Sequence, residues 1–467
     1  MFEDLYTLSV PLPEDILKAK GGGDYALVMR LIDKKCADPC LPEALRKRLE
    51  LEKIISAQVP KEYPYTEAEA RELLEAKIGP VSDEEWQELF LSGQIDWIYI
   101  NGVLHFQDCF LSNLMKTRMD LAERAVKKGT LPAPFQGPNL LDETIRELKE
   151  KGELTLRYHM RSTMTVRPDE PHEGKPVRVW LPLPNEYAQV KNVKVLSCTA
   201  SGFELSPADW GQRTICMTGV PGKDVFSVEY SFVIVSRYME PRADQVSPWQ
   251  PSFDTGESLP HIRFTPYLKA LTAQIIGAET NPLLKAKKIY EYITQHIRYS
   301  FMRAYITMPM ITEFAAAGGK GDCGVQALLF ITLCRIAGIP ARWQSGLYTE
   351  PGDVGCHDWA QFYIAPYGWL FCDCSFGGSA WRKGKTERWN FYFGNLDPYR
   401  MPANSEYQHD FVPVPKYLRY DPYDNQLGEA EYEDGQVQRS LRSTHHEILE
   451  VSGADALKLC PSGQDKD

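Results

Sequence analysis

The feature that most limits the fold is a change in the spacing of apolar residues at Gly152. Before it, leucine-rich stretches such as EALRKRLELEKIISA and TEAEARELLEAKI repeat apolar side chains at helical spacing. After it, Leu154, Leu156 and Tyr158 alternate with polar residues, which is the spacing of a strand with one buried face. A chain that changes from one period to the other must combine helices with sheet, so an α+β architecture is predicted.

Two later stretches repeat the alternation and place a β domain after the helical region. Glycine, proline and asparagine clusters bound these stretches, as turns between antiparallel strands do. Their apolar members are Val177, Val179, Leu181 and Leu183, then Phe226, Val228, Tyr230, Phe232 and Ile234. We therefore predict a helical N-terminal region over residues 1–150 and an antiparallel, β-sandwich-like domain over residues 151–240.

Helical spacing returns beyond a connector rich in proline and serine. Asn281 followed by Pro282 is typical of a helix start, with a capping side chain and a proline in the first turn. Further on, the chain turns acidic, with six carboxylates and no basic residue among them: Asp421, Asp424, Glu429, Glu431, Glu433 and Asp434. We predict a mixed domain over 241–415 and an acidic, partly disordered C-terminal tail over 416–467, with the disorder expected within roughly its last 30 residues.

The overall charge argues against two classes of partner. The formal net charge is −11, whereas nucleic acids and anionic membranes attract basic surfaces. The N-terminus lacks the basic start and apolar core of a signal peptide, and no apolar run approaches the roughly 18–20 residues of a membrane span. These features predict a cytoplasmic protein with no nucleic-acid and no membrane partner. Its 11 cysteines are then expected to be thiols, and their odd number leaves at least one unpaired.

A glycine-rich segment leads into the most informative cysteine of the chain. Cys323 follows Asp322, and the apolar run after it continues at helical spacing until Gly338. Cys323 is therefore expected in the first turn of a buried helix. The free N–H groups and the positive end of the helix dipole favour a thiolate there, so we expect a lowered pKa for this thiol. The same N–H groups can bind the oxyanion of a tetrahedral intermediate.

A histidine and a carboxylate follow on two strand-like segments. HDWAQFYIAP begins at His357, and YGWLFCD ends at Asp373. A thiolate needs a base to take its proton, and the base needs an acceptor that fixes its tautomer. His357 and Asp373 supply both if they share one face of a hairpin. The turn over residues 365–368 leaves that register open.

Four motifs in this order resemble the transglutaminase-like superfamily. They are G-x-G-D-C ending at Cys323, A-G-I-P-A-R over 337–342, H-x-W-A over 357–360 and G-W…D over 368–373. The resemblance covers about residues 280–376. The V-W-L-P-L-P strand over 179–184 is also similar to the β domain that precedes the core in bacterial members.

The resemblance implies a papain-like core with a Cys-His-Asp triad. In it, Cys323 is the nucleophile, His357 is the base and Asp373 orients the base. Family members also use an upstream aromatic or amide side chain at the oxyanion. Tyr305 is the candidate for that role, the alternative being a packed core tyrosine.

Two tryptophans are candidates for lining a substrate cleft. Trp359 and Trp369 lie within the H-x-W-A and G-W motifs, close in sequence to the predicted base and orienting carboxylate. Aromatic side chains of this kind are as often core residues, so both interpretations stay open at this point.

A zinc site is the main chemical alternative. Cys356, His357, Cys372 and Cys374 offer thiolate and imidazole ligands for a tetrahedral ion. However, Cys372 and Cys374 flank Asp373 on one strand, so using both would aim Asp373 away from His357. Neither the C-H pair nor the C-x-C pair has the usual two-residue spacing of a zinc knuckle. We therefore predict no metal and no cofactor.

The predicted function is thiol-dependent acyl transfer on a peptide or protein substrate. Attack by Cys323 on an amide gives a thioester, and water is the expected acceptor, because bacterial relatives of this kind resemble peptidases or amidases more often than cross-linking enzymes. No lysine-specific acidic pocket can be placed from the sequence. Two alternatives stay open, a protein-glutamine transglutaminase with an amine acceptor and a non-catalytic scaffold that binds peptides. The oligomeric state is open as well.

Overall fold

The structure is a computed structural model that describes residues 2–133, 139–200 and 202–459. Its α-helices are α1 (Glu14–Gly21), α2 (Tyr25–Cys36), α3 (Glu43–Gln58), α4 (Glu67–Ile78), α5 (Asp83–Leu91), α6 (Phe110–Thr117), α7 (Met119–Lys128), α8 (Leu140–Lys151), α9 (Pro266–Ile276), α10 (Pro282–His296), α11 (Ile311–Gly318), α12 (Cys323–Ile336), α13 (Cys374–Arg382) and α14 (Thr386–Phe391).

The strands are β1 (Tyr65–Thr66), β2 (Trp97–Ile100), β3 (Val103–Phe106), β4 (Glu153–Val166), β5 (Val177–Pro182), β6 (Val190–Cys198), β7 (Phe203–Leu205), β8 (Thr214–Gly219), β9 (Phe226–Arg237), β10 (Arg298–Tyr299), β11 (Lys320–Gly321), β12 (Ala341–Glu350), β13 (Asp353–Ile364), β14 (Gly368–Cys372), β15 (Phe393–Gly394), β16 (Arg400–Asn404), β17 (Glu429–Glu431) and β18 (Arg442–Ser452). This mixture of helices and mainly antiparallel sheet confirms the predicted α+β class.

Helices α1 to α8 form the N-terminal region, together with a small sheet in the order β1-β3-β2. Local chemistry sets the helix starts; at α5, for example, the Ser82 side chain accepts a hydrogen bond from the N–H of Glu85. Trp86 of this helix is buried in an apolar cluster with Phe106 and Phe110. The predicted helical region is confirmed. The sheet escaped prediction because strands of two to four residues are too short to display alternation.

Two four-stranded sheets follow and form the sandwich. Their strand orders are β17-β5-β8-β7 and β18-β4-β9-β6. Every second residue of β4 is buried, as its sequence alternation predicts. Leu156, Val179 and Phe232, from three different strands, belong to one apolar core that continues into the following domain.

The acidic C-terminal segment differs from the predicted tail. Strand β17 pairs with β5 and strand β18 pairs with β4, so the segment completes both sheets. Two of its carboxylates are paired with arginines: Glu429 forms a 2.6 Å ion pair with Arg442, and Glu431 pairs with Arg178. Paired charges can be buried, which a count of acidic residues does not reveal. This segment is folded up to residue 459, and residues 460–467 lie outside the described part.

The domain after the sandwich is built on a five-stranded sheet with the order β15-β14-β13-β12-β16. Helix α12 is buried along nearly its whole length and packs on this sheet, where Phe330 meets Phe362 with ring centroids 5.7 Å apart. The arrangement places the N-terminus of α12 beside strand β13. No helix among the described residues is long and apolar enough to cross a bilayer.

Candidate active site

Cys323 is the first residue of α12, as the sequence predicts. The preceding Asp322 caps the helix, because its side chain accepts a hydrogen bond from the N–H of Val325 at 3.1 Å. The Cys323 side chain is partly exposed, whereas the helix that follows is buried. The thiol therefore lies at a helix N-terminus that opens onto a cavity.

Gly324 allows two other side chains to approach this helix start. A Cβ placed on Gly324 would lie 2.3 Å from the Tyr305 hydroxyl and 2.8 Å from Oδ2 of Asp358. Tyr305 donates a hydrogen bond of 2.5 Å to Oδ1 of Asp322 and lines the same cavity as Cys323. Its hydroxyl thus supports the helix cap in this structure, and its role at an oxyanion stays a prediction.

The β-hairpin of β13 and β14 brings His357 and Asp373 together. Ala360 pairs with Cys372, so Asp373 continues the register opposite Trp359, two residues from His357 and on the same face. His357 Nε2 and Asp373 Oδ2 are 2.7 Å apart, in a hydrogen bond. This leaves Nδ1 as the ring nitrogen available to exchange a proton with a thiol. The register that the sequence left open is therefore one that joins the two side chains.

Asp373 is held in its ionised form. It also accepts hydrogen bonds from the N–H of Phe376 at 2.9 Å and from the Ser375 hydroxyl at 3.0 Å, and it forms a 3.0 Å ion pair with the buried Arg400. Burial alone would raise the pKa of Asp373, but the charges of His357 and Arg400 outweigh it and lower the pKa to about 2. For His357, burial lowers the pKa below its usual value, and Asp373 opposes that effect.

The hydrogen bond of the Cys323 thiol differs from the expected triad. Sγ donates to Oδ2 of Asp358 at 3.2 Å, and not to His357, the preceding residue of β13. Burial raises the pKa of the thiol well above its usual value, and the negative charges of Asp358 and Asp322 raise it further. The expected lowering by the helix start is therefore outweighed. The backbone N–H of Asp358 opposes the rise.

Cys323 opens onto a cavity of about 270 Å³ that we call the acidic cavity. Four aspartates line it: Asp322, Asp358, Asp421 and Asp424. The last two come from the C-terminal segment, as does Gln426, whose amide nitrogen donates to Asp358 Oδ1 at 2.6 Å and to the His357 carbonyl at 3.0 Å. The fold thus brings together, beside Cys323, aspartates from three separate parts of the chain.

His357 lines a second cavity of about 490 Å³, which we call the basic cavity. Four cationic side chains are part of its lining, beside the acidic Glu350 and Asp353: Lys116, Arg382, Lys383 and Arg388. Lys116 belongs to helix α6 and lies over the rings of Tyr299 and Phe301, with Nζ 4.3 and 4.8 Å from their centroids. These two aromatic residues line both cavities. The N-terminal region therefore contributes directly to the site.

Neither tryptophan candidate lines the acidic or the basic cavity. Trp359 is fully buried, and its indole N–H donates to Oε1 of Gln344 at 2.6 Å, so it is a core residue and the cleft prediction is wrong for it. The Arg342 guanidinium carbon lies 3.6 Å from the ring centroid of Trp369. Both residues line another cavity, whose lining does not include Cys323 or His357. The His357 ring lies 4.7 Å from that of Phe376 and 6.0 Å from that of the buried Trp359, between centroids.

The residues of the zinc alternative do not assemble into a binding site. Cys372 and Cys374 are buried with their sulfur atoms 3.7 Å apart, whereas Cys356 is exposed on β13. Within the described ranges, no group of three or more histidine, cysteine, aspartate or glutamate side chains is placed to hold a metal ion.

Several residues at the site were missed from the sequence. Asp358 had one weak signal, its position next to the predicted base. Arg400, Asp421, Asp424 and Gln426 had none, because each reaches the site from a distant part of the chain through the pairing of β16 with β12 and the folding of the C-terminal segment over the site.

The family comparison agrees with the motif resemblance. Residues 269–374 match the model described as the transglutaminase-like superfamily. The matched range includes Cys323, His357 and Asp373. This part of the protein therefore has a transglutaminase-like core.

Individual relatives are distant. An uncharacterized protein of Haemophilus influenzae is 26% identical over 230 residues, which are 42% of this chain and 62% of that protein, so the match spans less than two thirds of its length. A protein proposed to be a cysteine protease from Cytophaga hutchinsonii has 14% identity and a TM-score of 0.44, covering 65% of this chain and 91% of its own. The periplasmic domain of TgpA from Pseudomonas aeruginosa has 15% identity and a TM-score of 0.27, covering 54% and 96%.

Proposed function

Because residues 269–374 have a transglutaminase-like core, we propose that the protein is a thiol-dependent acyl-transfer enzyme that hydrolyses a peptide or amide bond. One observation carries the proposal. A cysteine at a helix N-terminus lies against the strand that bears a histidine, and that histidine is bound to a buried, ionised aspartate. Cys323 is the proposed nucleophile, His357 the proposed base and Asp373 the proposed orienting residue.

The chemistry proceeds in two steps that return the enzyme unchanged. His357 takes the proton of the Cys323 thiol, and the thiolate adds to the amide carbon while helix N–H groups bind the oxyanion. The intermediate collapses to a thioester, and His357 gives its proton to the leaving amine or ammonia. Water then attacks the thioester with His357 as base, which releases a carboxylic acid and restores the thiol. Asp373 keeps the imidazole oriented and stabilises its cationic form.

The raised pKa of the thiol and the lowered pKa of His357 favour a neutral thiol and a neutral imidazole at rest. Proton transfer to His357 is therefore proposed to accompany attack on the substrate. A protein-glutamine transglutaminase remains the second candidate, because the acidic cavity beside Cys323 suits a cationic acceptor. A cytoplasmic location stays part of the proposal, supported by the ten described cysteines, all of them free thiols.

The test combines product analysis with triad variants. We expect release of ammonia or amine from glutaminyl peptides or casein peptides without stable incorporation of fluorescent cadaverine. Cys323→Ala and His357→Ala should each abolish turnover, since triad members act as a unit, and Asp373→Asn should keep a small part of it. Mass spectrometry of the quenched enzyme should find the acyl group on the Cys323 peptide.

Three results would contradict the proposed hydrolase. Full activity in Cys323→Ala would rule out the thiol mechanism. Incorporation of cadaverine that depends on Cys323 would favour the transglutaminase. Equal peptide binding by the wild type and Cys323→Ala, with no turnover by either, would favour a scaffold. Cys40→Ala, at an exposed thiol far from these elements in the sequence, is the matched control.

A further inference from the structure

The four aspartates of the acidic cavity have no ion-pair partner among the described residues. Asp358 and Asp424 are buried, and Asp322 and Asp421 are partly buried. Asp373, one strand away, has a buried arginine at 3.0 Å instead. Placing several carboxyl groups together without a cation is unfavourable, because each loses hydration and repels the others. A cation bound in the cavity would relieve this repulsion.

The cations of the same cavity wall are engaged elsewhere. Arg442 forms its 2.6 Å ion pair with Glu429, and Arg439 donates to the backbone carbonyl of Arg442 at 3.4 Å. Arg303 lies beside Tyr63 and Asp96 of the N-terminal region. Arg419 lies behind the cavity wall and donates to Gln212 and to the Pro422 carbonyl, so its charge acts on Asp421 without forming an ion pair with it.

An unsatisfied amide in the same wall is an independent sign of a missing ligand. Asn425 is only 2% exposed and lines the acidic cavity, yet neither its side-chain oxygen nor its side-chain nitrogen has a hydrogen-bond partner. Buried polar groups in native proteins nearly always have a hydrogen-bond partner. A buried polar group without a partner costs about 1–3 kcal/mol of stability. A donor group that entered the cavity would satisfy the Asn425 oxygen and the carboxylates together.

The protonation of the cavity is consistent with a missing cation. Burial raises the pKa of Asp358 to about 7 and that of Asp322 to about 6, although the hydrogen bonds of Asp424 and Tyr305 to them oppose the rise. Burial raises the pKa of Asp421 and Asp424 well above the usual value, and the charge of Asp424 adds to the rise at Asp421 while that of Asp358 adds to the rise at Asp424. A bound cation would reverse these effects, so its binding releases protons and is favoured as the pH rises.

We propose that the acidic cavity binds a primary ammonium group, carried by the acyl substrate or by an acceptor amine, beside Cys323. An ammonium group suits the site because it is compact, carries three N–H donors and accepts nothing, while the cavity offers carboxylates and an amide oxygen. The inference rests on the proposed function, because it names the chemical class recognised next to the same thiol.

The test uses thiol reagents of matched size and different charge. Wild-type protein is treated at pH 8 with EDTA present, using 2-aminoethyl methanethiosulfonate, the neutral ethyl analogue or the anionic 2-sulfonatoethyl analogue. Rates at Cys323 are read by peptide mapping and divided by rates at the exposed Cys40 in the same sample, which removes intrinsic reactivity. We expect the ammonium reagent to be favoured over the neutral one by about tenfold, and the anionic one to be the slowest, since a cleft of one charge enriches counter-ions by 10–10³.

Variants assign the preference to the cavity. Asp421→Asn and Asp424→Asn should reduce the ammonium preference to near the neutral value, whereas Asp353→Asn, on an exposed aspartate of β13 in the basic cavity, should leave it unchanged. Circular dichroism verifies folding, and Asp421 is the safer position because it is partly exposed. Equal rates for the three reagents in the wild type, or an unchanged preference in both cavity variants, would overturn the proposal.

The labelling experiment needs no turnover, so its result is independent of the thiol mechanism. The ammonium preference can be absent while Cys323 is the nucleophile, and it can be present in a protein that has no turnover. Two kinetic arms then identify the source of the ammonium group. An Asp421→Asn variant with a raised KM for cadaverine assigns it to the acceptor. A raised KM for a lysine-containing peptide, with no change for its norleucine analogue, assigns it to the acyl substrate.

Discussion

Replacing Asp358 with asparagine should make Cys323 more reactive, by a factor that grows with pH. Asp358 accepts the hydrogen bond of the thiol at 3.2 Å and is one cause of its raised pKa. An ionised carboxylate at this distance suppresses the thiolate, so reaction proceeds through the fraction of molecules in which Asp358 is protonated. Asparagine keeps the shape and an oxygen acceptor but is always neutral.

The size of the effect follows from the pKa of Asp358, which burial raises to about 7. Below pH 7 the carboxyl group is mostly neutral, and above pH 7 it is mostly charged. The ratio of variant to wild-type rate should therefore be about 1 at pH 6, about 2 at pH 7 and about 10 at pH 8, since each pH unit above the pKa is a tenfold change. The other titratable groups that face Asp358 are present in both proteins, so their effects on the rate largely cancel in the ratio. They are Asp322, Asp421 and Asp424.

The assay is carboxamidomethylation by limiting iodoacetamide between pH 6 and pH 8.5, followed by peptide mapping. Cys40 serves as the internal reference, and Asp353→Asn as the control for loss of one carboxylate from β13. Thermal melting verifies that each variant is folded. A ratio that stays at 1 over the whole range would refute the reasoning. A variant slower than the wild type at pH 8 would refute it too, because Asp358 would then be assisting the thiolate.

Two further predictions concern the packing around the site, each measured by urea unfolding. Gly324→Ala places a methyl group 2.3 Å from the Tyr305 hydroxyl, so we expect a loss of about 1–3 kcal/mol in unfolding free energy. Gly318→Ala, where a Cβ meets nothing within 4 Å, is the matched control, and equal stability of the two variants would contradict the steric argument. Arg400→Met leaves Asp373 and Asp397 buried without their cation, which should cost about 3–5 kcal/mol. The same change at the exposed Arg382 should cost far less, and similar losses would show that the buried network contributes little.

Elements that depend on local chemistry were determined by the sequence. The capping side chain and proline at the start of α10 and the alternation along β4 are properties of a few neighbouring residues, and both were predicted correctly. The motif order around Cys323, His357 and Asp373 likewise predicted the transglutaminase-like core. The functional roles of these three residues remain proposals that the variants above test.

The pKa of the Cys323 thiol depends on tertiary structure. The helix start alone predicts a lowered pKa for Cys323, but β13 places Asp358 against the sulfur and the surrounding fold removes water from it. Desolvation and a like charge at contact distance outweigh a helix dipole that acts as about half a charge. Neither effect can be obtained from residues 318–338 alone.

The acidic C-terminal segment is the clearest case of long-range control. By composition its carboxylates predict a solvated tail, because unpaired charges remain in water. In the fold, β17 and β18 complete the two sheets of the sandwich, and Gln426, 68 residues beyond Asp358, reaches the site. Whether a carboxylate is solvated, paired with an arginine or gathered in a cavity depends on which distant side chains surround it. The sequence determined which groups are present, and the packing of strands far apart in the chain determined what they face.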